Sequence, residues 1–264
     1  MELLLPVIIV FGVSLVFGLL LCIASVVMAV KTDKREALVL EILPGANCGG
    51  CGYAGCADYA RCIVHEDAPI NKCTAVSQEV IDAIAEILGK ESVKLEPQFA
   101  VPMCLGSNEL AKNKYNYQGI NSCSAAFNFV SGQKACAYGC LGFGDCVEAC
   151  QFNAIKIIDG VARVDKTLCT GCGACVAKCP KRIIKLVPKS STTYVMCSSI
   201  SMGKAVMPVC EVGCIGCKRC EKACPSSAIT VENNLAKIDY SKCTNCGECA
   251  LVCPRHCIIF AGDK

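Results

Sequence analysis

The chain has 264 residues, 27 of them cysteine and none tryptophan, with a formal net charge of +3. So small a charge leaves no electrostatic footprint for a nucleic-acid partner. The scarcity of aromatic residues argues against a large conventional core, a deficit that small metal-held domains tolerate. Cysteine at this density marks either a disulfide scaffold or a metal-cluster protein. Crowding into runs with two or three residues between neighbours, and an odd total, disfavour disulfides, because such close neighbours rarely satisfy disulfide geometry.

From Leu3 to Val30 no side chain is charged. As a helix this stretch would extend about 42 Å, enough to cross a bilayer core of about 30 Å with tilt. A cleaved signal peptide fits less well, because the run is long and Glu2 stands where a basic n-region belongs. Lys31, Lys34 and Arg35 follow at once, so the positive-inside rule puts the remainder in the cytoplasm, on a single-pass anchor in the inner membrane. That compartment is reducing. Cys22, inside the apolar run, reads as a small hydrophobe.

Residues 31–44 read as a short amphipathic connector ending at Pro44-Gly45. A compact segment follows, Asn47-Cys48-Gly-Gly-Cys51-Gly-Tyr-Ala-Gly-Cys56, with Cys73 after sixteen intervening residues. Glycines beside the cysteines let the backbone approach a cluster and donate N–H bonds to its sulfurs. Cys48, Cys51, Cys56 and Cys73 are therefore the candidate ligands of one site, with Cys62 a rival. Val80, Ile81, Ile84, Ile87 and Leu88 then have helical spacing, with Ser77 as cap and Gly89 as stop. Val93–Leu95 and Phe99–Met103 read as short strands, and Tyr115, Tyr117 and Gly119 as loop.

Beyond residue 135 the cysteines repeat. Cys136, Cys140, Cys146, Cys150, Cys169, Cys172, Cys175 and Cys179 recur as Cys210, Cys214, Cys220, Cys224, Cys243, Cys246, Cys249 and Cys253, each displaced by 74 positions. A lattice copied without insertion or deletion is a duplicated module. Each copy reads as cysteine loop, hairpin, second cysteine loop and closing strand. The hairpins are Ile155–Val164, turning at Asp159-Gly160, and Ile229–Ile238, turning at Asn233-Asn234.

The run Cys169-x2-Cys172-x2-Cys175-x3-Cys179-Pro180 wraps a cubane iron–sulfur cluster: three close thiolates bind one cluster and the fourth reaches the next. Cys214, Cys217, Cys220, Cys224 and then Cys243, Cys246, Cys249, Cys253 repeat it. Structural zinc sites combine two separated ligand pairs instead, so zinc is the weaker reading. These runs resemble bacterial ferredoxins with two [4Fe-4S] clusters. The resemblance implies Cys150 with Cys169, Cys172 and Cys175; Cys224 with Cys243, Cys246 and Cys249; and Cys253 with Cys214, Cys217 and Cys220. Phe143 stands where the match to Cys217 requires a cysteine, so Cys136 is the expected substitute, joining Cys140, Cys146 and Cys179. Because Cys210 matches Cys136, the choice between Cys210 and Cys217 stays open. Five [4Fe-4S] clusters are expected in all.

Cys104 and Cys197, at the ends of the similar stretches Val101–Cys104 and Tyr194–Cys197, read as packing thiols or alternative ligands. Cys123 and Cys257 read as buried thiols, and the isolated His65 and His256 as structural. No catalytic triad, phosphate loop, flavin motif or dinucleotide fingerprint is present. Lys178, Lys181, Arg182, Lys185, Lys218, Arg219 and Lys222 gather beside the cluster loops, as a solvated face or a surface that steers an acidic electron carrier.

The expected class is α+β: a transmembrane anchor (1–30), a four-cysteine domain with a helix (31–90), a connecting region (91–135) and two ferredoxin-like units (136–190 and 191–264). This order of parts resembles the family of B subunits of Rnf complexes. The resemblance implies a membrane assembly that moves electrons between ferredoxin and NAD while translocating Na+ or H+. Ferredoxin and the other subunits (A, C, D, E and G) would be the partners, and this chain would relay electrons without substrate-bond chemistry. An iron–sulfur subunit of a hydrogenase or formate dehydrogenase is the alternative.

Overall fold

A computed structural model describes residues 4–27, 33–94 and 96–262, without the side chains of 4–10, 24, 26 and 27. Helix α1 (Leu4–Val27) contains 24 residues and no charge. Among the described residues no helix is long and apolar enough to cross a membrane. The outer parts of the expected anchor, 1–3 and 28–30, and Lys31 lie outside the described residues.

Three helices build the next domain: α2 (Lys34–Ile42), α3 (Cys56–His65) and α4 (Gln78–Leu88). Asp33 caps α2 by accepting the Arg35 amide at 2.9 Å. The spacing read in α4 puts Ile81 and Ile84 inward, against Val39 of α2 and Tyr59 and Ile63 of α3. Gly89 ends α4 in the left-handed region, φ 64°, which a glycine adopts without strain. Ser77 occupies the cap position but makes no side-chain capping bond.

Strand β1 (Gln98–Pro102) follows. The strand expected at Val93–Leu95 is absent at Val93 and Lys94, and Leu95 lies outside the described residues. Next come α5 (Cys123–Asn128), α6 (Asp145–Glu148), the hairpin β2 (Ile155–Ile158) with β3 (Val161–Val164), α7 (Ala174–Lys178) and β4 (Ile184–Pro188). The second copy runs β5 (Thr193–Val195), α8 (Gly203–Val206), α9 (Arg219–Ala223), β6 (Ile229–Glu232), β7 (Leu235–Ile238), α10 (Glu248–Leu251) and β8 (Ile258–Phe260).

Both hairpins pair in the register their turns dictate, Ile155 opposite Val164 and Ile229 opposite Ile238. Asp159 and Gly160 have φ of 50° and 75°, Asn233 and Asn234 of 48° and 62°, as two-residue turns that follow the strand twist require. The closing strands pair with what precedes each unit: β4 with β1, and β8 with β5, both antiparallel. The region 91–135 therefore does more than connect, since it supplies β1 and α5 to the first unit. Between strands and cysteine loops lie two apolar cores, one around Phe99, Ile155, Val161 and Ile184, the other around Val195, Ile229, Leu235 and Ile258.

Candidate functional site

The cysteines converge on hollows rather than on points. Among the described residues, no group of three or more His, Cys, Asp and Glu side chains is arranged to hold a single metal ion. Tetrahedral zinc would draw four sulfurs to about 2.3 Å from one centre. A cubane instead needs four sulfurs around a space it can fill, and these hollows fit that group.

In the N-terminal domain, Cys48, Cys51, Cys56 and Cys73 line one hollow. Asn47 Oδ1 accepts the Cys56 amide at 2.8 Å and ties the glycine-rich loop to the start of α3. Tyr59, 1 % exposed, holds the other side. Its hydroxyl donates to Pro69 O at 2.9 Å and accepts from Lys72 N at 3.1 Å, fixing the stretch of chain that presents Cys73. Cys62 is not in this hollow; it faces the helical core.

Cys214, Cys217, Cys220 and Cys253 line one hollow, which brings Cys217 rather than Cys210 beside the other three. Cys257 also reaches it, 3.6 Å from Cys253 by sulfur–sulfur distance. Its thiol, 2 % exposed, is shared with Cys214 and Cys253, which raises Cys257 and lowers the other two to about 6 and about 5.

In the first unit the structure places a different cysteine beside the expected three. Cys140, Cys146 and Cys179 share a hollow with Cys123, not with Cys136. Cys123 opens α5, and the start of that helix is held by Asp145, 4 % exposed. The Asp145 carboxylate accepts from the amides of Cys123 (2.6 Å) and Ser124 (2.9 Å) and from the hydroxyls of Ser124 (2.8 Å) and Ser122 (3.1 Å). Burial alone would raise this carboxyl; the donors outweigh it and hold it below its ordinary value. Phe143 packs against Cys123 and Leu141, filling the place of the missing cysteine. The only sequence signal for Cys123 is the gap at Phe143. Nearness in the chain favoured Cys136 instead, but the fold turns Cys136 away.

The remaining two sets are seen through their mutual influence. Burial pushes the Cys175 thiol up to about 12, and the sulfurs of Cys169, Cys172 and Cys150 add to it. Burial likewise raises Cys249 to about 11, with Cys243, Cys224 and Cys246 adding. Sulfurs crowded in this way persist as thiolates only around a positively charged core. Backbone amides also point at sulfur, from Ala100 to Cys169 at 3.4 Å and from Ala228 to Cys224 at 3.3 Å.

Cys136 lines a separate hollow with Cys104, Cys197 and Cys210. Of the basic residues, Lys181 is tied to the carbonyls of Ser131 and Ala137, both at 2.6 Å, whereas Lys218 and Arg219 are exposed.

Family models match at three places: an Fe-S cluster model over 43–75, a 4Fe-4S binding domain over 162–185 and a 4Fe-4S dicluster domain over 213–257. The chain is 44 % identical over 248 residues to the B subunit of the ion-translocating oxidoreductase complex of Methanosarcina acetivorans, covering 94 % of each chain. It is 45 % identical to the B subunit of the Na(+)-translocating ferredoxin:NAD(+) oxidoreductase complex of Acetobacterium woodii, over 96 % of this chain and 75 % of that one. To the B subunit of the proton-translocating ferredoxin:NAD(+) oxidoreductase complex of Clostridium ljungdahlii the identity is 40 %, over 92 % and 87 %. With similarity running from the helical domain through both cysteine-rich units, the chain belongs to the family of B subunits of ion-translocating oxidoreductase complexes.

Proposed function

We propose that this chain is the iron–sulfur relay of a membrane-bound, ion-translocating ferredoxin:NAD oxidoreductase. It takes electrons from reduced ferredoxin and passes them to membrane partner subunits, the A, C, D, E and G components of an Rnf-type complex. Flavin, NAD and ion sites then belong to those partners. The names of the relatives favour this over an iron–sulfur component of a hydrogenase or formate dehydrogenase.

The observation that carries the reading is the contact between neighbouring cysteine loops. A β-carbon on Gly50, in the N-terminal loop, would stand 2.5 Å from the Cys172 carbonyl oxygen and 3.0 Å from its Cβ. Glycine at that point lets the two loops touch. Five sets of ligands are assigned: Cys48, Cys51, Cys56, Cys73; Cys150, Cys169, Cys172, Cys175; Cys123, Cys140, Cys146, Cys179; Cys214, Cys217, Cys220, Cys253; and Cys224, Cys243, Cys246, Cys249. Bound [4Fe-4S] clusters supply one-electron chemistry in which no substrate bond is made or broken. The protein's part is to hold the sulfurs, keep water out with Phe99, Val161 and Ile184, and aim amides at sulfur.

The exposed Lys218 and Arg219, beside Cys217, offer a docking face to an acidic carrier. The uncharged stretch Leu3–Val30, which extends beyond the described helix at both ends, would serve as a single-pass anchor with Lys34 and Arg35 on the cytoplasmic side. Of the domain limits 1–30, 31–90, 91–135, 136–190 and 191–264, the one at 135/136 gives way under this assignment, since β1 and Cys123 belong with the first unit. Replacing Cys51 by Ala tests the order of the relay. The C-terminal clusters should still be reduced by ferredoxin while onward transfer stops; wild-type turnover in that variant would refute it.

A further inference from the structure

Cys104, Cys136, Cys197 and Cys210 come from four separate stretches of chain, all outside the matched ranges 43–75, 162–185 and 213–257. They nevertheless line one hollow, as the four sulfurs of three other sets do. Cys104 follows β1 and Cys197 follows β5, so the two strand pairs deliver one sulfur each. The other two are held by a short crossing segment: Ala111 bridges to Cys210, Asn113 bridges to Lys134, and Lys112 O accepts the Ala135 amide at 2.8 Å. A β-carbon on Gly106 would meet the sulfurs of both Cys104 and Cys210 at 3.6 Å and Ala111 at 2.9 Å, so glycine keeps that wall open.

A second observation points to a negatively charged occupant. Lys134 is 1 % exposed, and its ammonium donates only to neutral oxygens: Ser107 O at 3.1 Å, Gly106 O at 3.2 Å and Asn108 Oδ1 at 3.3 Å. Among the described residues no carboxylate pairs with it. A buried charge without a counter-charge is strongly destabilising. Four thiolates outweigh the charge of a cubane core, and their net negative charge supplies the partner. A third observation ties the site to its neighbours. The Cys140 amide donates to Cys104 Sγ at 3.4 Å, and the Cys214 amide to Cys197 Sγ at 3.3 Å. Amides directed at ligand sulfur are a feature of iron–sulfur sites. Here each donor residue is itself a candidate ligand of the adjoining set, one in each ferredoxin-like unit.

We propose that Cys104, Cys136, Cys197 and Cys210 hold a sixth [4Fe-4S] cluster, placed between the two ferredoxin-like units and joining them into one relay. This rests on the reading of the chain as an iron–sulfur relay. Each passage through it moves one electron, supplied by reduced ferredoxin, with one cluster oxidised as the next is reduced.

The test is iron and acid-labile sulfide content of the full chain, prepared without oxygen, together with EPR of the dithionite-reduced protein. Wild type should carry about 24 iron atoms, six clusters of four. The double variant Cys136→Ser/Cys197→Ser should lose about four iron and four sulfide while the other signals persist, and Cys62→Ser should lose none. A wild-type content of about 20, or one zinc in place of the four irons, overturns the proposal even if the double variant misfolds. So does a double variant that keeps its full iron. Failure of the relay reading is separate: a chain with 24 iron atoms that reduced ferredoxin does not reduce would sink the relay and leave the site standing.

Discussion

Asp145→Asn should loosen one cluster site and leave the others untouched. The amide keeps the shape of the carboxylate but turns one of its two acceptor oxygens into a donor. If the NH2 takes the place of Oδ1, the buried Cys123 amide loses its 2.6 Å partner; if it takes that of Oδ2, the Ser124 amide loses its 2.9 Å one. A buried donor left unsatisfied costs about 1–3 kcal/mol, and the surviving bonds lose their charge assistance, so the start of α5 should be weakened by about 2–4 kcal/mol. At 1.4 kcal/mol per tenfold, the detached state of α5 becomes about 30- to 700-fold more populated. Hydrogen exchange on the iron-loaded chain reads this directly. The amides of Ser124 and Ala126 should exchange faster by that factor, while those of the Ile229–Ile238 hairpin stay as in wild type. Iron should then leave one site first when a chelator is added. Unchanged exchange at Ser124 would refute the assignment of Asp145 as the residue that holds Cys123 in place.

Three further outcomes are expected. Gly50→Val should leave iron content unchanged but slow electron passage out of the C-terminal clusters, because its side chain cannot fit 2.5 Å from the Cys172 carbonyl; stopped-flow reoxidation at the wild-type rate would count against that contact. Cys257→Ala should keep every cluster and lower the reduction potential of one by tens of millivolts, as expected for loss of a bond of about 1 kcal/mol to its thiolates; a redox titration with superimposable midpoints would remove Cys257 from the site. Lys218→Glu with Arg219→Glu should slow reduction by ferredoxin and flatten its salt dependence, and an unaltered salt slope would place the docking face elsewhere.

Much of the candidate site was legible because cluster loops are local. Cys48, Cys51 and Cys56, or Cys214, Cys217 and Cys220, sit within a turn or two of one another, and their spacing alone brings them to one hollow. The hairpins were legible for the same reason, since Asp159-Gly160 and Asn233-Asn234 carry the positive φ values that their turns demand. What escaped was non-local. Cys123 reaches its set through Asp145, 22 residues away in sequence, by a hydrogen bond no spacing rule encodes. Cys104 and Cys197 could be flagged as equivalent strand ends, but not as neighbours of each other, because that depends on how the two units are set side by side. The rival thiol Cys62 was settled by which face of α3 is buried, a question the helix period leaves open when both faces carry cysteine.

The two copies diverge where they meet, and the divergence has a physical logic. Duplication would give each unit a cysteine at the Phe143/Cys217 position, and only the second keeps it. In the first unit the fourth sulfur facing the hollow comes from α5 instead, and the carboxylate that pins α5 stands at Asp145, where the second unit has the exposed Arg219. Replacing a loop sulfur by one on a pinned helix draws residues 111–135 over the unit, and that same segment carries Ala111–Asn113 and Lys134 to the hollow shared by both copies. Had Cys136 remained with Cys140, Cys146 and Cys179, the shared hollow would have only three sulfurs and the buried ammonium of Lys134 a weaker counter-charge. The substitution of Cys123 thus frees Cys136. Restoring a cysteine at Phe143 in a chain carrying Cys123→Ser should therefore refill the first unit's site without altering the iron held between the units, and loss of that bridging iron would show that the two sites are not independent.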